Sequence, residues 1–282
     1  MECPLCRQTN GIKFYKQING SKIYLCKDCQ LALINSQSSL EEVINQYHFE
    51  GYNIQRSRFE KNFKKFKDIV LNFKNSGTLL DIGGGYGLYD LMLSENFKVS
   101  VIEPIFSQVY LKDIKYKVYK ANFDDFQSEQ KYDLILMLDI LEHFKDPSEA
   151  LSKAKSFLKK DGILVIQTPN YRSIMQLLVK NWSWWMVEDH KVLFSSQSLS
   201  KILKNNCLKK IYFETYEPWI DFKRNLDGNF VSINNSALRK FLKSIFFSLF
   251  IPVYFPFRKL IWRMGYGGLI FTVVKNLEQN NA

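Results

Sequence analysis

The stretch TLLDIGGGYGLYDLM, Thr78 to Met92, decides how this sequence is read. Apolar and β-branched residues run into an acid, Asp81, then into a burst of glycine, then into a helical pattern. A strand, a glycine turn and a helix together build a nucleotide site, because glycine lets backbone approach a ligand and a helix start offers unpaired N–H groups. The glycine spacing selects the nucleotide. A dinucleotide fingerprint, G-x-G-x-x-G, begun at Gly83 and Gly85 needs a third glycine where Leu88 stands, and begun at Gly84 it fails at Tyr86. A phosphate loop ends in Gly-Lys-Ser/Thr, and this turn has no lysine. What remains is D-x-G-x-G-x-G over Asp81, Gly83, Gly85 and Gly87, whose carboxylate suits a cationic amino group and would repel a phosphate.

Around this turn, TLLDIG, FKVSVIEP, YKVYKAN, YDLILMLDI and GILVIQTP read as buried parallel strands, and LKKIYFETYE and LIFTVVKN as two later strands. Helical patterns lie between several of them. PSEALSKAKSFLKK has Pro147 near its start and Asp161-Gly162 closing it, and SSQSLSKILKNN follows the fifth strand. Before the sheet, RFEKNFKKFKDIVLNF (Arg58–Phe73) puts Phe59, Phe63, Phe66, Val70 and Phe73 on one helical face. The alternation predicts an α/β, doubly wound sheet over residues 58–282, with 36–57 as a linker that holds His48.

The chain has 282 residues and 46% hydrophobic content, enough for one large domain and a small appendage. MECPLCRQTN has neither a basic start nor an apolar core, so no signal peptide is expected and a cytoplasmic protein is. Residues 1–35 carry CPLC (Cys3, Cys6) and CKDC (Cys26, Cys29), a spacing that places four thiolates around one structural zinc in a module separate from the sheet. Cys207 stands alone as an ordinary thiol. The net charge of +11 is uneven: residues 201–282 hold 13 basic side chains against 5 acidic, while residues 76–200 hold 14 against 16. A basic end suits nucleic acid, a phosphorylated substrate, an anionic membrane surface or simply solvent.

The D-x-G-x-G-x-G turn resembles the first motif of class I S-adenosylmethionine-dependent methyltransferases. That resemblance implies a seven-stranded, mostly parallel sheet with an antiparallel last strand. It implies that Asp81, Gly83, Gly85 and Gly87 cradle S-adenosylmethionine, and that Glu103, twenty residues past Gly83, accepts both ribose hydroxyls. Asn122 and Phe123 would lie beside the adenine, with Asp124 or Asp125 as an alternative polar contact, and Asp139 would touch the methionine part. LEHFKDP closely resembles a segment of bacterial enzymes that methylate small molecules, including quinone precursors and sugars. The cysteine pairs, glycine turn, LEHFKDP and EDHKVLFSSQSL follow the order of a zinc-module branch, a resemblance that covers most of residues 1–217. Pro218 to about Gly267 matches nothing.

Methyl transfer to a hydroxyl needs a base. Of three histidines, His143 ranks first because it follows the fourth strand at its carboxyl end, and His190 second. Asp139 and Glu142 could orient either one, and a packing role for His143 fits equally. Trp182, Trp184 and Trp185, in a cap near 171–194, offer flat surface to a sugar or planar acceptor, or close a hydrophobic lid. In the insert near 218–267, SIFFSLFIPVYFPF is uncharged between RKFLK and RKLIWR. It reads as too short to span a bilayer and as broken by Pro252 and Pro256. Peripheral membrane contact through 241–263, core packing or a dimer contact all fit it. The expected function is methyl transfer to a small-molecule or lipid-linked acceptor, first a sugar hydroxyl in cell-surface glycan or secondary-metabolite synthesis. An RNA methyltransferase is the alternative, though no nucleic-acid motif is present; a non-catalytic cofactor- or partner-binding protein is the other.

Overall fold

A computed structural model describes residues 1–36, 56–85, 87–104, 116–179, 182–230 and 233–277. His48 and most of the linker lie outside the described residues. The chain begins with a meander of β1 (Ile12–Ile18), β2 (Ser21–Cys26) and β3 (Ala32–Asn35), followed by α1 (Arg56–Phe73). The glycine turn joins β4 (Gly77–Ile82) to α2 (Leu88–Leu93), as its pattern predicts, and β5 (Phe97–Ile102) and β6 (Lys117–Tyr119) come next. Then follow β7 (Tyr132–Leu138), α3 (Pro147–Ser156), β8 (Leu158–Pro169), α4 (Ile174–Leu178), β9 (Val192–Leu193) and α5 (Ser196–Asn205). The chain closes with β10 (Leu208–Tyr216), α6 (Trp219–Gly228), α7 (Ser236–Arg263) and β11 (Leu269–Asn276).

Seven strands form one sheet in the order β10-β11-β8-β7-β4-β5-β6. Pairs among β4, β5, β6, β7 and β8 are parallel, whereas β11 runs antiparallel to both β8 and β10. The antiparallel last strand is therefore β11, slotted inside the edge. Chain order turns back beside β4, with β5 on one side and β7 on the other, which is where open α/β sheets bind ligands. Both faces are covered, and strand residues alternate between two cores as a period of two requires. Leu80, Ile135, Met137, Leu164 and Ile166 face α3 and α5 through Leu151, Ala154, Leu199 and Ile202. Leu79, Leu134, Leu136 and Val165 face Phe66 and Val70 of α1.

α3 is started by Asp146, whose side chain accepts from the N–H groups of Ser148 and Glu149, with Pro147 in the first turn. It ends at Ser156, earlier than its lysine-rich tail suggests, because Phe157 and Leu158 are buried and β8 begins there. Opposite β7 the partner residue jumps from Leu158 to Ile163, so Lys159–Gly162 bulge out of the ladder. Gly162 fits there because a Cβ would sit 2.9 Å from the Tyr132 carbonyl oxygen.

Two expectations change. The cysteine module is no separate unit: β3 pairs with β9 of the cap, giving a second sheet of order β1-β2-β3-β9. Ile23, Ala32 and Ile34 join Met175, Trp182, Trp185, Phe222 and Leu226 in a third core. The prolines do not break the apolar run either, since α7 is one helix of 28 residues that passes through Pro252 and Pro256. Among the described residues it is the one helix long and apolar enough to cross a membrane by length and composition.

Candidate active site

The carboxyl ends of β4, β5, β7, β8 and β10 meet at one edge of the sheet. Gly83, Gly85 and Gly87 all adopt left-handed backbone, with φ of 73°, 51° and 68°, so the turn needs glycine for its shape. Gly84, which the motif leaves free, is the tightest position: a Cβ there would lie 2.5 Å from Val101 Cγ1 and 3.2 Å from Asp81 Oδ2. A Cβ on Gly85 would meet nothing within 4 Å among the described residues. The Gly85 N–H donates to Glu103 Oε2 at 3.0 Å, tying the end of β5 to the turn. Asp81 is buried beside Asp90, itself fully buried. Burial pushes both carboxyls up, and the charge of Asp81 raises Asp90 further.

Asn122 is exposed at the end of β6, whereas the Phe123 ring is buried between Phe144 and Phe157, at 5.8 and 6.3 Å between centroids. Phe123 is thus a core residue by its side chain. Asp139 directly follows β7 in left-handed backbone, φ 53°, uncommon for a residue with a side chain. Its Oδ2 accepts from Gln167 Nε2 at 2.8 Å, while its buried Oδ1 has no partner among the described residues. Gln167 in turn accepts from the Tyr216 hydroxyl at 2.5 Å. Burial lifts Asp139 to about 6, against the Gln167 hydrogen bond. Asp221 of α6 is lifted by burial to about 6, and Glu217 to about 8. Glu103 and the glycine turn on one side, and Asp139 on the other, form a cradle with an orphaned buried carboxylate oxygen. Such a cradle fits a nucleoside bearing a cationic side chain.

Beside Asp139, the loop after β7 carries Glu142 and His143, and the cap brings Asp189 and His190 to them. His143 Nδ1 lies 2.8 Å from Asp189 Oδ1. The two histidine rings meet edge to face at 4.9 Å. Burial pushes the His143 imidazolium down, but the Asp189 hydrogen bond and neighbouring carboxylates outweigh it and raise its pKa. Burial, then the charge of His143, drives His190 down to about 3, so it stays neutral. Burial lifts Glu142 to about 8, and its Oε2 accepts from Thr168 Oγ1 at 2.9 Å. The His143 side chain keeps 21% of its surface accessible, whereas His190 is 1% exposed. The carboxylate in hydrogen-bond contact with His143 is Asp189, a residue the motif reading leaves out. Sequence reading passes over Asp189 because its partner lies 46 residues away. Glu142, His143 and His190 also offer ligand atoms within 4.8 Å of one another, a set that could hold a metal.

Trp182 and Trp185 are buried with their rings 5.4 Å apart in the third core, so two of the three cap tryptophans pack inside. Trp184 is half-buried, with the Arg224 guanidinium 5.7 Å from its ring centre. At the far side of the cap, the sulfurs of Cys3, Cys6, Cys26 and Cys29 all lie within 4.8 Å of one another, with Cys6 and Cys26 at 3.6 Å. A tetrahedral zinc with bonds near 2.3 Å separates its sulfurs by about 3.8 Å, so this donor set fits one.

Residues 54–211 match the family described as "Methyltransferase domain". The chain belongs to this methyltransferase family. It is a methyltransferase that uses S-adenosylmethionine. The ubiquinone biosynthesis O-methyltransferase of Rickettsia bellii (strain OSU 85-389) is 21% identical to it over 182 residues, covering 57% of this chain and 76% of that one. The (S)-coclaurine N-methyltransferase of Papaver somniferum is 22% identical over 182 residues, but the match spans only 51% of that enzyme and 56% of this chain. Among solved structures, an S-adenosylmethionine-dependent methyltransferase of Archaeoglobus fulgidus shares the fold, with a TM-score of 0.54 at 17% identity. That superposition covers 80% of this chain and all of the other.

Proposed function

We propose that this methyltransferase acts on a hydroxyl of a small-molecule or lipid-linked acceptor, a sugar hydroxyl first, with His143 as general base. The observation that carries this reading is the 2.8 Å contact between His143 Nδ1 and Asp189. With Nδ1–H donated to the carboxylate, Nε2 is free to take a proton, the arrangement by which a histidine is held in its useful tautomer. An O-methyltransferase among the relatives supports the same reading. S-adenosylmethionine would supply the methyl group from its sulfonium, with a neutral thioether as the leaving group. Asp81, Gly83, Gly85, Gly87, Glu103 and Asp139 would hold it, with Asn122 at the adenine end. The chain's own work is to align the acceptor, accept its proton at Nε2 of His143 and keep water out with the cap. Cys3, Cys6, Cys26 and Cys29 would hold one structural zinc.

Labelled cofactor, offered with fractionated extracts and followed by mass spectrometry, should mark a hydroxyl. Against that acceptor, His143→Ala should lower kcat by about a hundredfold to ten-thousandfold while leaving cofactor affinity by calorimetry unchanged. The wild-type rate should rise with pH through a pKa above the ordinary 6.5, because the base must be neutral and the carboxylates favour its charged form. Asp189→Asn should move that limb to lower pH and lower the plateau. A His143→Ala variant with full activity removes the base. Elemental analysis should find one zinc per chain; a second equivalent would reassign Glu142, His143 and His190 to a metal.

A further inference from the structure

Of the 28 residues of α7, Tyr254 alone is buried. One side of the helix packs on the body: Phe222 of α6 stacks on Tyr254 at 5.0 Å, and Phe250 stacks on Phe246 and Tyr254 at 5.3 and 5.5 Å. The opposite side is also apolar. Phe241, Ile245, Leu249, Val253, Phe257 and Leu260 follow at threes and fours, all exposed, Leu249 by 69%. This stripe is about 29 Å long at 1.5 Å per residue, longer than the scattered apolar residues that soluble surfaces carry. Charge closes both ends: Arg239, Lys240 and Lys243 at the start, Arg258, Lys259 and Arg263 at the finish, with no acidic residue in the helix. At the start, Arg239 and Lys243 also border a cleft of about 530 Å³ with Lys223 and Arg224 of α6, opposed by Asp227, which lies 2.8 Å from Lys243.

We infer that α7 is a docking surface for a bilayer carrying anionic lipids, lying in the plane of the membrane with its exposed stripe among the acyl chains and its basic ends at the headgroups. The charge pattern selects this occupant over a second copy of the chain. Pairing α7 with α7, parallel or antiparallel, sets one basic cluster against another with no carboxylate in either helix to answer it. An anionic headgroup layer answers all of them. The depth follows from packing and from proline. Lipid can reach only one side, because the other holds α6, so the helix lies on the membrane rather than across it. Pro252 and Pro256 lack the N–H groups that would bond the Ser248 and Pro252 carbonyls, which need water of the kind the interface supplies and the bilayer centre does not. Phe247 and Phe250 are half-buried against the third core, so the membrane-facing positions are the exposed ones.

The full chain should float with vesicles of phosphatidylcholine containing phosphatidylglycerol at low salt, and should leave them at high salt or when phosphatidylcholine is the only lipid. Leu249→Asp with Phe257→Asp should abolish flotation while circular dichroism and cofactor affinity stay at wild-type values. Lys240→Glu and Lys259→Glu should each weaken it about fivefold. Wild-type protein that ignores anionic vesicles at low salt overturns the inference. If that protein also sediments as a dimer that Leu249→Asp dissociates, the stripe belongs to a second copy. Vesicle binding that survives the double aspartate variant equally removes α7 as the surface.

Discussion

A methyl group on Gly84 would collide with Val101, while the same methyl on Gly85 would meet nothing within 4 Å among the described residues. The two neighbours therefore separate folding from binding. Gly84→Ala should cost about 1–3 kcal/mol of stability through overpacking, seen as a lower melting temperature. Gly85→Ala pays mainly for its left-handed φ, about 1–2 kcal/mol, and should weaken cofactor binding out of proportion to that loss. Calorimetry beside thermal melts checks the pair, and the opposite ranking would mean that the turn does not hold the cofactor. Glu103→Ala should weaken binding too, because it frees the Gly85 N–H and removes the only carboxylate at the end of β5. Equal affinity in that variant takes Glu103 out of the site.

At the scale of elements, the cysteine module is wired to the histidines. The Ile34 N–H donates to the Lys191 carbonyl, and the Lys191 N–H donates to the Glu142 carbonyl, both at 2.9 Å. Lys191 follows His190, so the β3–β9 pairing holds the loop that brings Asp189 and His190 to His143. On that geometry, Cys26→Ser or metal removal should lower kcat along with unfolding the module. Cofactor affinity should change less, because Asp81 in β4 and Glu103 just after β5 belong to the seven-stranded sheet, while β9 belongs to the other. Hydrogen exchange should show 188–194 opening together with 12–35. A Cys26→Ser protein with wild-type kcat would show that the two sheets act independently.

The whole molecule keeps several carboxyls buried around one edge, where Arg224 lies 3.0 Å from Asp221 and the charge of His143 acts on Asp139 and Glu142 without cancelling the effect of burial. Asp81, Asp90, Asp139, Glu142, Glu217 and Asp221 are all pushed up, burial being the first cause in each. A carboxyl whose folded pKa is raised binds more protons folded than unfolded, so its share of stability is present below the unfolded value and is lost as pH rises through the folded one. His190 works the other way: its folded pKa is depressed to about 3, so the folded state weakens as pH falls below the ordinary histidine range. The melting temperature of the free protein should peak between these limits and fall from pH 6 to pH 9. S-adenosylmethionine, a cation at its sulfonium, should raise it more at pH 9 than at pH 6, because it favours the ionised carboxylates. Scanning calorimetry at the two pH values tests this, and a stabilisation that shrinks with rising pH would place the cofactor away from these acids.

Local pattern alone carried the glycine turn, the strand–helix alternation and the two cysteine pairs, since each is written within a few tens of residues and each answers to backbone geometry or ligand spacing. The seven strands and the place of Glu103 followed from the same short-range signals. Tertiary structure decided the rest. Asp189 became the partner of His143, and Trp182 and Trp185 became core rather than platform, because those contacts join segments far apart in the chain. The tight spot at Gly84 depends on Val101 of the neighbouring strand, which no motif spacing encodes. The module lost its independence when β3 found β9, a pairing between strands of four and two residues that carry almost no sequence signal. Packing on one side also carried α7 through its two prolines, because a helix held by stacked aromatic rings tolerates missing backbone hydrogen bonds on the side open to solvent.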